Sequence, residues 1–221
     1  MGSVKFQIRG SDYVGAFATA TDTLCFLVRD ATEAAKRVIS EALGAETIPV
    51  SVGGSGFIGI LSKANSNGVL LANIATPEEI AAFKGTRSGL NVGVLESNLN
   101  AVGNNILAND KIAFVNSAYS GDEERRIGDA LGVETIRLDI GGLPTVGASN
   151  ILTNKGMVLN NRAAESEIEE ASKLVENYSQ STANLGSLSL RLSTISNSNG
   201  LLVGAETTGF EMARIAEGLG L

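Results

Sequence analysis

Apolar and polar positions follow one pattern that recurs five times along the chain at a fixed interval of 44 residues. The stretch 103–123 shows the unit: a small residue at Gly103, an apolar strand, a polar turn at 109–111, a second apolar strand and a helix start at Ser120. Stepping by the same interval finds Gly15, Gly59, Gly147 and, in the fifth unit, Arg191. A fixed period of this length predicts a repeat architecture.

Each unit predicts two strands in a hairpin, then a helix and a third strand. The hairpin turns, at 21–23, 65–68, 109–111, 153–156 and 197–200, are rich in residues that accept tight-turn geometry. The predicted helix starts are Thr32, Thr76, Ser120, Ala164 and Thr208. Three of them have the Ser/Thr-x-x-Glu spacing of a capping box, completed by Glu79, Glu123 and Glu211. The sequence therefore predicts five β-β-α-β repeats.

The chain begins with a strand that has the register of a repeat's last strand. Val4, Phe6 and Ile8 alternate with polar residues, and no strand follows the last helix at Leu219. We therefore expect circular closure, in which the N-terminal strand completes the fifth repeat of a single α/β domain over 1–221. In the fourth repeat the segment 180–184 is polar on both faces, which predicts a short, less stable strand.

The net charge and the amino-acid composition favour some classes of partner and catalytic site over others. The net charge of −7 argues against extensive direct contact with nucleic acid and favours a basic protein partner. The chain has no histidine, so Ser–His and Cys–His nucleophile activation are excluded, although catalysis by carboxylates alone stays open. Cys25, the only cysteine, lies in an apolar strand and reads as a buried structural thiol. We expect no metal or other cofactor.

Targeting signals are absent from the sequence pattern. No apolar run approaches the roughly 18 residues of a membrane span, and the N-terminus lacks a basic region followed by an apolar one. The expectation is a cytoplasmic protein with no membrane partner.

Five motifs spread over essentially the whole chain resemble the translation initiation factor 6 family, the ribosome anti-association factors of archaea and eukaryotes. They are VGGS at 52–55 followed by Gly59, NGVLL at 67–71, LNAVGN at 99–104 leading to NDK at 109–111, LPTVG at 143–147 leading to TNKG at 153–156, and LVGAETTG at 202–209. The resemblance implies the pentein fold, a five-fold pseudosymmetric α/β propeller, and it fits the five repeats found above.

The resemblance also implies a function and partners. Members of this family are non-catalytic, monomeric proteins that bind the large ribosomal subunit, chiefly ribosomal protein uL14 near the sarcin–ricin loop, and block joining of the small subunit. Their release is linked to a translational GTPase. The other penteins are guanidine-modifying enzymes that use a nucleophilic cysteine with histidine, and the absence of histidine makes that alternative less favoured.

The family's docking surface lies around the repeated glycine, at the start of each first strand. The matching positions here are Gly15, Ile60 and Asn104, with the turn residues Asn65 and Ser66 as weaker candidates. A structural reading competes for each one. Glycine is required wherever backbones approach closely, and Asn104 could equally hold a hydrogen bond to a neighbouring repeat.

Several positions depart from the family pattern. The family commonly has proline, often as His-Pro, after a repeat's second strand, where this chain has Ala72-Asn73, Asn116-Ser117 and Asn160-Asn161; Phe210 likewise replaces a proline, and Ile60 a basic residue of some relatives. These departures keep a third reading open: an altered, designed or reconstructed pentein scaffold with nearly equal repeats and no ribosome binding.

Overall fold

Five three-stranded sheets form a closed ring, as the repeat predicts. The computed structural model describes residues 3–86 and 89–221. In each sheet the first strand pairs antiparallel with the second: Ala18–Ala20 with Leu24–Val28, Ser62–Ala64 with Gly68–Ala72, Ile106–Ala108 with Ile112–Val115, Ile151–Leu152 with Gly156–Asn160, and Thr194–Ser196 with Leu201–Gly204. These antiparallel pairs are the predicted hairpins.

The third strand of each sheet runs parallel to the second, which requires a crossover connection. The third strands are Glu46–Val50, Asn91–Leu95, Glu134–Arg137 and Asn177–Ser181, and in the fifth sheet Val4–Phe6. In that fifth sheet Val4 lies opposite Leu202, and Phe6 opposite Gly204. The predicted circular closure by the N-terminal strand is therefore confirmed.

A helix supplies the crossover in the first four repeats, and a fifth helix ends the chain. The five helices are Glu33–Leu43, Pro77–Lys84, Gly121–Leu131, Glu165–Ser172 and Gly209–Leu219. Each begins directly after its predicted cap residue, and the three predicted capping boxes are present. Within the described ranges, no helix combines the length and apolar character that would let it cross a membrane.

Apolar side chains join neighbouring repeats into a shared core. Phe26, in the second strand of the first repeat, is fully buried and its ring centroid lies 4.8 Å from that of Phe83, in the helix of the second repeat. Burial of such large apolar surfaces is the main driving force for the association of repeat units.

The fourth repeat corrects one sequence-based expectation. Its third strand, Asn177–Ser181, pairs over five residues with Gly156–Asn160 and lies a few residues earlier than the polar segment predicted to be a short strand. The polar side chains are satisfied there: the Ser179 hydroxyl donates to the Arg214 carbonyl oxygen at 2.7 Å, and the Gln180 amide donates to the Ala163 carbonyl oxygen at 3.0 Å. A polar strand is stable here because backbone carbonyls of neighbouring segments accept its donors.

The repeated glycines hold the ring together at its axis. Sequence places each at the start of a strand, but Gly59, Gly103 and Gly147 lie in short helices, Ile58–Leu61, Val102–Asn105 and Val146–Ser149, that precede the strands. Gly15 lies in the 3₁₀ turn Val14–Ala16. A Cβ at each glycine would overlap backbone carbonyl oxygen of the preceding unit in the ring: Gly59 at Gly15, Gly103 at Gly59, Gly147 at Gly103, and Gly15 at Arg191.

Replacing an axial glycine should disrupt the ring. We expect Gly103→Ala to lower the free energy of unfolding by about 3 kcal/mol or more, because the new methyl group meets backbone that cannot rotate away. Gly209→Ala is the matched control, since a Cβ there meets nothing within 4 Å. Urea denaturation of both variants measures the difference, and an unfolding free energy of Gly103→Ala within 1 kcal/mol of the control (roughly the size of a Gly-to-Ala effect on chain entropy) would contradict the prediction.

Asparagines in the turns connect repeats at the opposite end of the axis. The Asn65 amide donates to the carbonyl oxygens of Asn109, at 3.0 Å, and Leu131, at 2.8 Å. The Asn109 amide donates in the same way to the Thr153 carbonyl oxygen, and the Asn197 amide to that of Thr21. Each of these hydrogen bonds joins adjacent repeats, so the asparagine side chains at this end of the ring have a structural role.

A second kind of hydrogen bond also recurs among the repeats: a glutamate in the first turn of the helix accepts from backbone N–H groups of a glycine-containing loop. The Glu79 carboxylate accepts hydrogen bonds from the backbone N–H groups of Gly53, at 2.6 Å, Gly54, at 2.9 Å, and Thr76, at 3.0 Å. Burial raises the pKa of Glu79, but the backbone donors at Thr76, Gly54 and Gly53 outweigh it, and the net pKa lies below its ordinary value. Glu167 and Glu211 make equivalent contacts.

The Glu79 connection predicts a pH-dependent loss of stability. Because its pKa is lower in the folded protein, its stabilisation is complete above the ordinary value of 4.5 and disappears as the pH falls through the folded pKa. We expect Glu79→Gln to cost about 1.5–3 kcal/mol at pH 7, with the difference from the parent shrinking below about pH 4. Glu165→Gln, at an exposed first-turn position, is the control in denaturant titrations at both pH values. A difference that stays constant with pH would refute the assignment.

Candidate functional site

The end of the ring where the axial glycines lie is the first candidate surface, which we call the glycine face. It comprises the short helices that contain Gly15, Gly59, Gly103 and Gly147, together with the residues immediately before them. The predicted candidates Gly15, Ile60 and Asn104 all lie on these helices. Gly15 is buried and is explained by backbone packing, while Ile60 is half-buried and packs against the core.

Asn104 is the candidate whose side chain the fold does not use. Its Oδ1 atom is buried, and among the described residues it has no hydrogen-bond partner. Its neighbour Asn105 differs: the Asn105 amide donates to the Ala101 carbonyl oxygen at 3.0 Å, and its Oδ1 accepts from Asn116 at 2.7 Å. An unpaired buried acceptor is costly in a folded protein, and no hydrogen bond within the described residues accounts for the Asn104 carboxamide.

Exposed aromatic side chains also lie on the glycine face. Tyr13 and Phe57 occupy equivalent positions directly before two of the axial helices and are 43% and 48% exposed. The Phe57 ring stacks on Phe17 with centroids 5.4 Å apart, and the Arg9 guanidinium lies 5.8 Å from the Phe17 centroid. Exposed tyrosine and phenylalanine beside arginine are typical of the centre of protein–protein interfaces. The sequence analysis did not single out these residues, although their shared repeat position just ahead of the glycine was a usable signal.

The weaker candidates Asn65 and Ser66 lie at the other end of the axis. A strand of three residues, Ser62–Ala64, which is roughly 10 Å long, separates them from the glycine face. The four hydrogen bonds of the Asn65 side chain are internal, and the Ser66 backbone N–H donates to the Asp110 carboxylate at 2.8 Å. The structure therefore divides the predicted site residues between two ends of the ring, and brings only Gly15, Ile60 and Asn104 onto one face.

Arg191 occupies the axis itself. It stands where the other four repeats have glycine, and its guanidinium donates to the carbonyl oxygens of Gly15, at 2.8 Å, Gly59, at 2.9 Å, and Ala18, at 3.2 Å. Burial lowers the pKa of Arg191 to about 10, and the Cys25 thiol opposes that shift. The sequence analysis noted the break in the glycine series without assigning it a role.

A cavity of about 40 Å³ lies along the axis, and Arg191 is one of the residues that line it. Lys63, which is 7% exposed, and Thr194 contribute to its wall together with small and apolar residues of the innermost strands. Burial, followed by the positive charge of Arg191, lowers the pKa of Lys63 to about 7.

Cys25 has no catalytic character in this environment. The side chain is fully buried, and burial raises the pKa of its thiol to about 12, although Arg191 works in the opposite direction. A thiol with so high a pKa provides almost no thiolate at neutral pH, and only the thiolate is a nucleophile. The predicted structural role of Cys25 agrees with this environment.

Lys63 should destabilise the protein in a pH-dependent way. The folded pKa of about 7 lies below the ordinary 10.5, so the unfolded chain binds more protons between these values and stability rises with pH across that window. Below pH 7 the cost of burying the charge is complete. We expect Lys63→Met to be more stable than the parent by about 1–4 kcal/mol at pH 6, and the gain to vanish as the pH approaches 10.

The measurement is denaturant unfolding of the two proteins in sodium gluconate at several pH values. Lys111→Met, at an exposed turn position, serves as the control and should follow the parent throughout. A Lys63→Met variant that is less stable than the parent at pH 6 would show that the ammonium is well solvated or paired.

Comparison with known proteins gives a consistent match over the whole chain. The model of the eIF-6 family matches residues 3–218. Three archaeal proteins, each called translation initiation factor 6, are similar over nearly their entire lengths. The protein from Picrophilus torridus is 36% identical over 217 residues, which covers 97% of this chain and 98% of the relative. The protein from Pyrococcus abyssi is 37% identical over 98% of both chains, and that from Saccharolobus islandicus 34% identical over 100% of both.

Proposed function

From the premise that the chain belongs to the eIF-6 family, we propose that it is a translation factor that binds the large ribosomal subunit and sterically prevents joining of the small subunit. The full-length similarity to proteins called translation initiation factor 6 supports the translation role. The observation that carries the proposal to this molecule is the exposed aromatic pair Tyr13 and Phe57, which stands directly before two of the axial helices.

The glycine face is the proposed docking surface. Asn104 supplies an unsatisfied polar group, and Tyr13 and Phe57 supply exposed aromatic area close to the same ring of short helices. A polar anchor beside aromatic side chains is the composition expected where a few residues dominate binding energy. In this proposal Gly15 and Ile60 do not bind through polar groups. Gly15 is buried and Ile60 packs against the core, so neither side chain keeps a partner surface from approaching the axis.

Electrostatics support a protein rather than nucleic acid as the main partner. The net charge of −7 opposes close contact with phosphates and is attracted by a basic ribosomal protein, for which uL14 is the proposed identity. The ring itself is complete in one chain, because the N-terminal strand closes it. We propose accordingly that the factor acts as a monomer, in the cytoplasm, and blocks the subunit interface as a rigid body.

The two other readings are less well supported. A guanidine-modifying enzyme requires an activated cysteine, whereas Cys25 is buried with a pKa of about 12, and the only charged residues lining the axial cavity are the cations Lys63 and Arg191. A designed scaffold predicts nearly equal repeats. Instead, Arg191 breaks the glycine series, and the start of the third strand shifts by one residue in either direction between repeats, as the pairs Leu24↔Glu46, Gly68↔Asn91 and Gly156↔Asn177 show.

Cosedimentation with archaeal large subunits tests the proposal. At micromolar concentration and moderate salt we expect the parent protein to pellet with the subunits. Phe57→Ser should weaken binding about 30-fold, which corresponds to about 2 kcal/mol for a central aromatic contact. Asn104→Asp should weaken binding further still, because it adds a charge where an acceptor must be desolvated.

The matched control is Phe210→Ser. Phe210 is 77% exposed and lies in the first turn of the helix Gly209–Leu219, outside the short helices that form the glycine face, so its loss should leave cosedimentation unchanged. Thermal unfolding of all three variants verifies that they are folded. Failure of the parent protein to pellet would overturn the proposed function, whereas equal losses for Phe57→Ser and Phe210→Ser would overturn the assignment of the face.

A further inference from the structure

The axial cavity contains two cationic side chains and no counterion. Lys63 and Arg191 are 7% and 9% exposed, and among the described residues that line the cavity they are the only charged groups. Across residues 3–86 and 89–221, no carboxylate lies within ion-pair distance of either group. Two buried positive charges without a partner repel each other and lose their hydration, which is an unfavourable arrangement unless something compensates it.

Hydrogen-bond donors in the same place lack acceptors. The guanidinium of Arg191 has five N–H donors, of which three are used by backbone carbonyls. The ammonium of Lys63 has three donors, and none of them has an acceptor within the described part of the chain. The Thr194 hydroxyl, 2% exposed and also part of the wall, is likewise unpartnered there. Ammonium and guanidinium are donors only, so the missing group must be an acceptor.

The size of the cavity limits what that acceptor can be. Its volume of about 40 Å³ exceeds the roughly 10–15 Å³ that one water molecule needs, so a monatomic ion and one or two waters fit. Water alone would satisfy donors but would leave both charges uncompensated.

We propose that the axial cavity binds one small monovalent inorganic anion, of the size of chloride or bromide, between the Lys63 ammonium and the Arg191 guanidinium, with the Thr194 hydroxyl as a further donor. The anion holds together the innermost strands of the second and fifth repeats. This inference concerns the interior of the ring and does not depend on ribosome binding.

Anion binding should be linked to protonation of Lys63. The pKa of Lys63 is about 7 without a counterion, because of burial and then the charge of Arg191, and a neighbouring negative charge stabilises the protonated amine. The neighbouring Cys25 thiol stays neutral because burial raises its pKa to about 12, and the carboxylates Asp22 and Asp110 stand at the turn end of the axis, outside this cavity. Binding is therefore tighter below pH 7 than above it.

Crystals grown from sodium bromide give the direct test, because bromide is located by its anomalous scattering. We expect one anomalous peak in the axial cavity of the parent protein and of Lys111→Met, and no axial peak in Lys63→Met. Water density alone in the parent cavity would overturn the proposal, and so would an axial peak that persists in Lys63→Met.

Thermal unfolding of the parent protein provides a test that needs no variant. At equal ionic strength, sodium bromide should raise Tm by about 2–4 °C relative to sodium gluconate at pH 6, and by less at pH 9. Gluconate is too large for the cavity and controls for general screening. Equal Tm values in the two salts at pH 6 would contradict anion binding, and a bromide effect that does not diminish at pH 9 would contradict the link to Lys63.

Discussion

The close approach of backbones at the axis is the constraint on which the rest of the ring depends. Four of the five repeats present a glycine to carbonyl oxygens of the neighbouring repeat, and a single methyl group at Gly59 or Gly103 would occupy space that this backbone already fills. The innermost strands can surround a narrow axis only because these contacts are made without side chains. The hairpins, crossover helices and circular closure then follow from ordinary strand pairing around that centre.

The fifth repeat breaks the glycine series and uses the space that the four glycines leave. Four glycines leave a space at the axis that one long side chain can fill, and Arg191 fills it from the fifth position, donating to carbonyl oxygens that the glycines expose. Five such arginines would place five positive charges within a few ångströms of one another, which no internal acceptor set could compensate. A single arginine can donate hydrogen bonds to several of these carbonyl oxygens at once. A second cation, Lys63, already leaves an excess of positive charge that the protein alone does not balance.

Much of this architecture was predictable from the sequence, and the exceptions have physical reasons. The hairpins, the helix starts and the closing strand follow from alternation, turn chemistry and the Ser/Thr-x-x-Glu boxes, all of which are local. The polar strand Asn177–Ser181 was not predictable as a full-length strand, because its stability comes from distant acceptors at Ala163 and Arg214. The short axial helices were missed since one turn of helix before a strand has no period to detect. The role of Arg191 required knowing that four glycines meet in space.

The candidate site shows the same limit most clearly in Asn104 and Asn105, which are identical residues side by side. The sequence offers no reason to distinguish them. The Asn105 carboxamide is hydrogen-bonded to Ala101 and Asn116, whereas the Asn104 Oδ1 has no partner within the described part of the chain. The Asn65 side chain, by contrast, has all its hydrogen bonds inside the protein: its amide donates to the carbonyl oxygens of the next repeat and its Oδ1 accepts from the backbone of its own turn. What separates an architectural asparagine from one available to a partner is whether the fold has already satisfied its hydrogen bonds.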